Sequence, residues 1–334
     1  MLNNNIKQKI IISQSKNPWE NLALEELLLE SVKKNEVIMY LWQNDNTIVI
    51  GRNQNPWKEC KCDLFNSNGG KIARRLSGGG AVYHDLGNIN FTFLMDKELY
   101  HLEKQLNVIL SAVKALGINA KFTGRNDITV DDKKFSGNAF YFTSNSAYHH
   151  GTILVNSDLS QLVKYLQVSN EKIKSKGIDS VKSRVTNLKN INGSITNKKV
   201  IEALKESFQI EYGECYVDNV FIQNNKDEIK SLYNKYSSWE WIFGETPKFD
   251  ITYDKRFAWG GIEINLSLKN GKIVDNKIFS DAMNSELILN ISKELEGLTF
   301  NIELIAKNIV NMDVENDVDK NILKDIHSWL LNQQ

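Results

Sequence analysis

A chain of 334 residues exceeds what one ordinary core organises, so its length favours about two domains, each able to bury a sizeable interior. Lysine plus arginine total 41 and aspartate plus glutamate total 41, so the formal net charge is zero and no global field draws the protein to nucleic acid or an anionic membrane. The opening MLNNNIKQKIIISQSK lacks the apolar core of a signal peptide and no later stretch reaches bilayer length, so the expectation is a soluble cytoplasmic protein.

Asn17-Pro18-Trp19-Glu20 predicts a helix start, with Asn17 as cap, Pro18 at the first helical position and Glu20 placed to reach back. Trp19, Ala23 and Leu27 then share a face. Residues 37–42 and 47–51, separated by Asn44-Asp45-Asn46, read as the two strands of a hairpin. Cys60, Cys62 and Cys215 are an odd set in a long chain with no second ligand pair at zinc spacing, so they read as reduced thiols. Residues 72–75 predict another strand. A stripe of Leu99, Leu102, Leu106, Ile109, Leu110 and Val113 ended by Gly117 predicts a helix over 99–116. Strand-like runs follow at 118–122, 128–130 and 152–155, so helices and mixed strands interleave as in an α+β or α/β domain.

Punctuation at Phe243-Gly244-Glu245-Thr246-Pro247 marks a domain boundary, with residues 1–243 as the catalytic domain, 244–250 as linker and 251–334 as a small C-terminal α+β domain. There Ile262, Ile264, Leu266 and Leu268 alternate as a half-buried strand, Asn270-Gly271 turns it, and 272–279 returns. Val318, Ile322, Ile326 and Trp329 predict a final amphipathic helix.

Four segments carry chemistry. Arg74-Arg75-Leu76-Ser77-Gly78-Gly79-Gly80-Ala81-Val82-Tyr83-His84-Asp85 joins two arginines to a glycine run, which reads as an anion cradle of backbone amides in preference to a plain tight hairpin. No Gly-Lys-Ser/Thr follows, so it is not a P-loop. Gly124-Arg125-Asn126-Asp127 and Lys134-Phe135-Ser136-Gly137 offer a carboxylate and a lysine beside a small-residue turn, a pairing suited to nucleotide and magnesium. His149 and His150, adjacent on a strand, point to opposite faces and do not readily share one metal. Lys172, Lys174, Lys176, Lys182 and Arg184 form a basic stretch, either a solvated face or a surface for an acidic partner.

Taken with Gly51-Arg52-Asn53-Gln54-Asn55-Pro56-Trp57-Lys58-Glu59-Cys60, Ser183 through Leu188 and Trp259-Gly260-Gly261-Ile262-Glu263, these ordered motifs resemble the lipoate-protein ligase A family, of the bacterial type with a C-terminal accessory domain. The resemblance implies a biotin/lipoate ligase-type α+β catalytic domain with mixed sheets and packed helices, plus a small α+β C-terminal accessory domain that moves relative to it. It implies ATP and magnesium as cofactors and lipoate as substrate. The acceptors would be lipoyl domains of 2-oxoacid dehydrogenase acyltransferase subunits and the glycine-cleavage carrier protein. By the same resemblance Arg75, Gly80, Ala81, Val82, Tyr83 and Lys134 contact the nucleotide, and Lys134 also touches the lipoyl carboxyl oxygen. Ser77, Gly78, Gly79, Asn126 and Asp127 are set beside them, Asp127 for magnesium, with Arg75 and His150 as further lipoate contacts. Leu76, Phe135 and a shorter turn before Lys134 depart from the family pattern. Competing readings are an octanoyl or lipoyl transferase working through a cysteine thioester, a non-catalytic binder of lipoyl domains, and a biotin ligase.

Overall fold

The computed structural model describes residues 6–123, 126–166, 185–243, 250–269 and 271–332. Its contacts group the chain into two units: Met1–Ile50 with Pro56–Arg75 and Ala81–Ile242, and Gly51–Asn55 with Leu76–Gly80 and Phe243–Gln334.

The strands of the first unit are β1 (Lys7–Ile12), β2 (Glu36–Trp42), β3 (Thr47–Ile50), β4 (Lys71–Arg74), β5 (Val82–His84), β6 (Asn88–Asp96), β7 (Lys121–Thr123), β8 (Asp127–Val130), β9 (Lys133–Phe142), β10 (Ser146–Leu154) and β11 (Tyr216–Val217). Among the described residues eight of them form one mixed sheet in the order β11-β1-β2-β6-β10-β9-β8-β7, and β4-β3-β5 form a second. Residues 37–42 and 47–51 are therefore not a hairpin. The first run, buried along its whole length, belongs inside the large sheet between β1 and β6, and the second pairs with β4 and β5.

Period-two alternation sorts the large sheet into two faces. Val37, Met39, Leu41, Phe91, Phe93 and Met95 face Leu106, Ile109 and Val113 of a helix at Leu102–Ala115 and Leu204 and Phe208 of a helix at Asn197–Tyr212. The predicted start at Leu99 gives way to a tight 3₁₀ turn at Lys97–Leu99, because Asp96 caps that turn by accepting from the Glu98 N–H. The opposite face carries Tyr40, Thr92 and His150 and is covered by helix α1 (Pro18–Ser31). Asn17 caps α1 as expected, accepting from the Trp19 N–H at 3.2 Å. Glu20 reaches the cap indirectly: it accepts from Ser15 Oγ at 2.7 Å, and that oxygen accepts from the Asn17 N–H at 3.1 Å.

In the second unit β12 (Ile251–Phe257), β13 (Gly260–Lys269) and β14 (Lys272–Ser280) form an antiparallel sheet, with Gly271 at φ +73 on the turn as its position demands. Ile262, Ile264 and Leu266 pack against helices at Ser285–Leu295, Ile302–Val310 and Asp317–Leu331, whose buried residues include Ile288, Ile305, Ile322, Ile326 and Trp329. Val318 departs from the predicted stripe and is exposed. Among the described residues no helix is long and apolar enough to cross a membrane.

Candidate active site

Strand β9 places the lysine. Residues 134–137 read from sequence as a small-residue turn, but they lie within an extended strand paired to β8. Asp127 pairs with Gly137 and Ile128 with Ser136, whereas Thr129 pairs with Lys134, so Phe135 is an extra residue at a bulge. Without that irregularity Phe135 would stand opposite Thr129, and Lys134 would turn to the other face. The bulge buries Phe135 completely and brings Lys134 round to the face that holds Asp127, Gly137 and Thr152. There Lys134 Nζ meets Asp127 Oδ1 at 2.7 Å. A Cβ on Gly137 would stand 2.9 Å from Lys134 Nζ, so the missing side chain is what gives the ammonium its room.

The two histidines point to opposite faces, as strand geometry requires. His149 turns into the core, with Nε2 2.8 Å from Asn138 Oδ1 and Nδ1 3.1 Å from Gln105 Oε1. His150 lies on the α1 side, Nδ1 2.9 Å from Glu25 Oε1. That oxygen also accepts from Thr92 Oγ1 at 2.7 Å, and Thr92 Oγ1 accepts from Trp42 Nε1 at 3.1 Å. The sequence reading does not single out Glu25 or Thr92. The available signal was an acidic residue standing among Leu22, Ala23, Leu24 and Leu28, all buried with it on α1.

Arg75 is buried just past β4, donating to the Val49 carbonyl at 3.2 Å. Burial pulls its guanidinium down to about 10, while Tyr148, Glu25 and Glu59 work to raise it, so it remains a cation at neutral pH. Its neighbour Arg74 is spent on structure: Nη2 donates to the Ile242 carbonyl at 2.6 Å and Nε to that of Trp241 at 2.9 Å, while Trp241 Nε1 donates back to the Arg74 carbonyl at 2.9 Å. His84 accepts from Asn44 through Nδ1 and has no hydrogen-bond partner at Nε2 among the described residues. Burial first, then Arg75 and His150, depress it to about 3, so this imidazole is neutral. Tyr83 is buried on β5, and burial lifts its phenol to about 12. Ala81 and Val82 are partly exposed at the start of that strand. Asn126 is tied to β9, its side-chain amide donating to the Asn138 carbonyl at 3.1 Å.

The glycine run, expected as an amide cradle, packs closely against neighbouring backbone. The Gly79 N–H donates to the Ala282 carbonyl at 3.2 Å, so it is already engaged, and Gly79 sits at φ +88. A Cβ on Gly78 would run into the Ala282 and Met283 carbonyls. Ser77 is fully buried, and its carbonyl accepts from the Arg52 N–H at 2.9 Å. Gly78 and Gly79 are thus accounted for by close backbone packing inside the second unit. At Gly80, unlike Gly78, a Cβ would meet nothing within 4 Å. The sequence reading put this run in the first domain, whereas its contacts group it with the C-terminal segment. Gly124, Arg125, the basic stretch over Lys172, Lys174, Lys176, Lys182 and Arg184, residues 244–249 of the predicted linker and Asn270 lie outside the described residues.

Comparison with known proteins gives the chain its family. The model of the lipoyl protein ligase A/B catalytic domain matches residues 17–209, and that of the bacterial lipoate protein ligase C-terminus matches residues 246–330. A lipoate-protein ligase A of Blochmanniella floridana is 42% identical over 303 residues, covering 89% of this chain and 90% of its own. The crystal structure of P. falciparum LipL1 in complex with lipoate superposes with a TM-score of 0.86 at 36% identity, covering 98% of this chain and 100% of that one. A bipartite lipoate protein ligase from Thermoplasma acidophilum, solved in a study with its E2 lipoyl domain, matches with a TM-score of 0.64 at 25% identity over 74% of this chain and 100% of its own. Matched along both its catalytic and its C-terminal portions, the chain belongs to the lipoate-protein ligase A family.

Proposed function

We propose that this chain uses ATP to convert lipoate to lipoyl-AMP and then transfers the lipoyl group to a lysine of an acceptor lipoyl domain. Family membership makes it a ligase of lipoate. The observation that carries the residue-level reading is the bulge on β9, which sets the Lys134 ammonium on the same sheet face as Asp127.

In the first half-reaction a lipoate carboxylate oxygen attacks the α-phosphorus of ATP, and pyrophosphate leaves. Two anions must approach, so the barrier falls when a cation sits where negative charge gathers. Lys134 is that cation, contacting both the α-phosphate and the acyl oxygen, with Arg75, a cation at neutral pH, as a second donor. In the second half-reaction an acceptor amine attacks the acyl carbonyl, AMP leaves, and the amine proton passes to solvent. No protein nucleophile is needed. Arg75, Ala81, Val82, Tyr83, Asn126, Asp127 and Lys134 form the nucleotide side of this reading. His150 faces lipoate together with Lys134 and Arg75.

Magnesium enters this reading with the nucleotide. Among the described residues no cluster of three or more His, Cys, Asp or Glu side chains forms a metal cage. One carboxylate, Asp127, beside the phosphates and water suits a small hard cation that retains much of its hydration shell. It would screen phosphate charge during attack. The cysteine-thioester alternative finds less support: Cys60 and Cys62 are both buried and burial raises the Cys215 thiol pKa, although the Cys60 hydrogen bond lowers that of Cys62.

The deciding experiment offers the protein lipoate, magnesium, ATP and candidate acceptor domains from the dehydrogenase and glycine-cleavage systems, with biotin as a competing acid. Mass spectrometry should find lipoyl added to a single lysine, only when ATP is present. Transfer without ATP, or addition of biotin in place of lipoate, would overturn the reading.

A further inference from the structure

Away from Lys134, two thiols stand in contact. Cys60 follows the short helix α2 (Pro56–Glu59), and Cys62 begins helix α3 (Cys62–Ser67). Their Sγ atoms are 3.5 Å apart. The backbone holds them there: Cys60 N–H donates to the Pro56 carbonyl at 2.9 Å, Cys62 N–H to the Cys60 carbonyl at 3.0 Å, and the intervening Lys61 N–H to the Tyr165 carbonyl at 2.9 Å. Closing the pair to a bond of about 2.05 Å asks for about 1.5 Å of approach, within reach of side-chain rotation.

We propose that Cys60 and Cys62 are a reversible oxidation site, closing to an intramolecular disulfide under a hydroperoxide and thereby weakening nucleotide binding through Phe65 and Tyr83. The chemistry balances. Cys62 thiolate attacks the peroxide, becoming a sulfenic acid as one oxygen leaves as water. Cys60 thiol then displaces the second oxygen as water, so that the two thiols give up two electrons and two protons in all. Cys62 is the attacking group, being slightly more exposed at 5% against 1% for Cys60. The Cys60 thiol hydrogen bond also lowers the Cys62 pKa while raising that of Cys60. A thiol reductant reverses the bond.

The route to the site is short. Helix α3 carries Phe65, fully buried, whose ring meets Tyr165 at 4.8 Å and Tyr83 at 6.2 Å between centroids. Closing the disulfide draws the Cys60 thiol from the Pro56 carbonyl, which it now meets at 3.3 Å, and turns the Cys62 side chain at the start of α3. Interiors are packed densely enough to pass such a shift to the next ring. This second step rests on the proposed reading of the Tyr83 strand as part of the nucleotide site, whereas formation of the disulfide does not.

The test treats the full-length protein with graded hydrogen peroxide and follows intact mass, ATP binding and lipoyl-AMP formation. Trypsin cuts after Lys61, so the bond is read as two peptides joined through Cys60 and Cys62. The expected result is a loss of two hydrogens, a several-fold loss of ATP affinity and recovery with dithiothreitol, with Cys62→Ser and Cys62→Ala folded, active and resistant. Oxidation of Cys215 before any Cys60–Cys62 link, or equal inhibition of the Cys62 variants, would overturn the proposal. A link that forms without changing ATP affinity would overturn the coupling. Absence of lipoyl-AMP in the reduced wild type would instead count against the ligase reading.

Discussion

Lys134 Nζ and Asp127 Oδ1 are 2.7 Å apart, on side chains that are 35% and 40% exposed. An ion pair so open to water contributes about 0–1 kcal/mol, so either partner is replaceable without threatening the fold. Asp127→Asn should melt within a few degrees of the wild type. If the carboxylate also holds magnesium, lipoyl-AMP formation should fall about tenfold or more, and raising magnesium should recover part of it. A variant with unchanged magnesium dependence would remove Asp127 from the metal's surroundings.

Gly137→Ala tests the room left for the ammonium. The new Cβ would crowd Lys134 Nζ at 2.9 Å and Cε at 3.0 Å. A flexible side-chain end yields more readily than backbone, so stability should change by about 1 kcal/mol or less while adenylate formation drops about tenfold or more. Chemical denaturation and a pyrophosphate-release assay read the two separately. Full activity would show that the lysine acts from another rotamer.

These two positions show why β9 was hard to read. Lys134 and Gly137 were legible as residues of interest, since a lysine beside small residues is unusual, but the bulge that aims Lys134 depends on pairing with β8 and has no local signature. The start of α1 was legible because cap chemistry is local, and the β13–β14 hairpin because its turn and alternation are contiguous. The false hairpin of β2 and β3 has the opposite cause. Polar turn residues lie between them, but β2 finds better burial between β1 and β6 than beside its neighbour in sequence. Glu25 escaped notice because its partner, His150, lies 125 positions away.

Glu25 supplies one oxygen to both His150 and Thr92 in a buried setting. Glu25→Ala should cost about 1–3 kcal/mol for each group left without an acceptor, whereas Glu25→Gln, keeping a carbonyl oxygen, should recover much of it. Urea denaturation of the pair gives the difference. Equal stability of the two variants would mean that the hydrogen bonds are replaced by water.

His84 makes a pH prediction. Its folded value of about 3 lies below the ordinary 6.5, so between them the unfolded chain holds a proton that the folded protein does not. Stability therefore rises with pH across that window and is lost as pH falls from about 6.5 toward 3. His84→Gln should flatten the slope of unfolding free energy against pH in this interval. An unchanged slope would mean that His84 is protonated in the folded protein.

The proposed adenylation chemistry depends on one ammonium. Lys134→Ala should fold and melt like the wild type, bind acceptor domain, and make lipoyl-AMP at least about a hundredfold more slowly in a single-turnover assay with lipoate, magnesium and ATP. Near-normal adenylate formation by that variant would contradict the assignment of Lys134 as the residue that brings the two anions together.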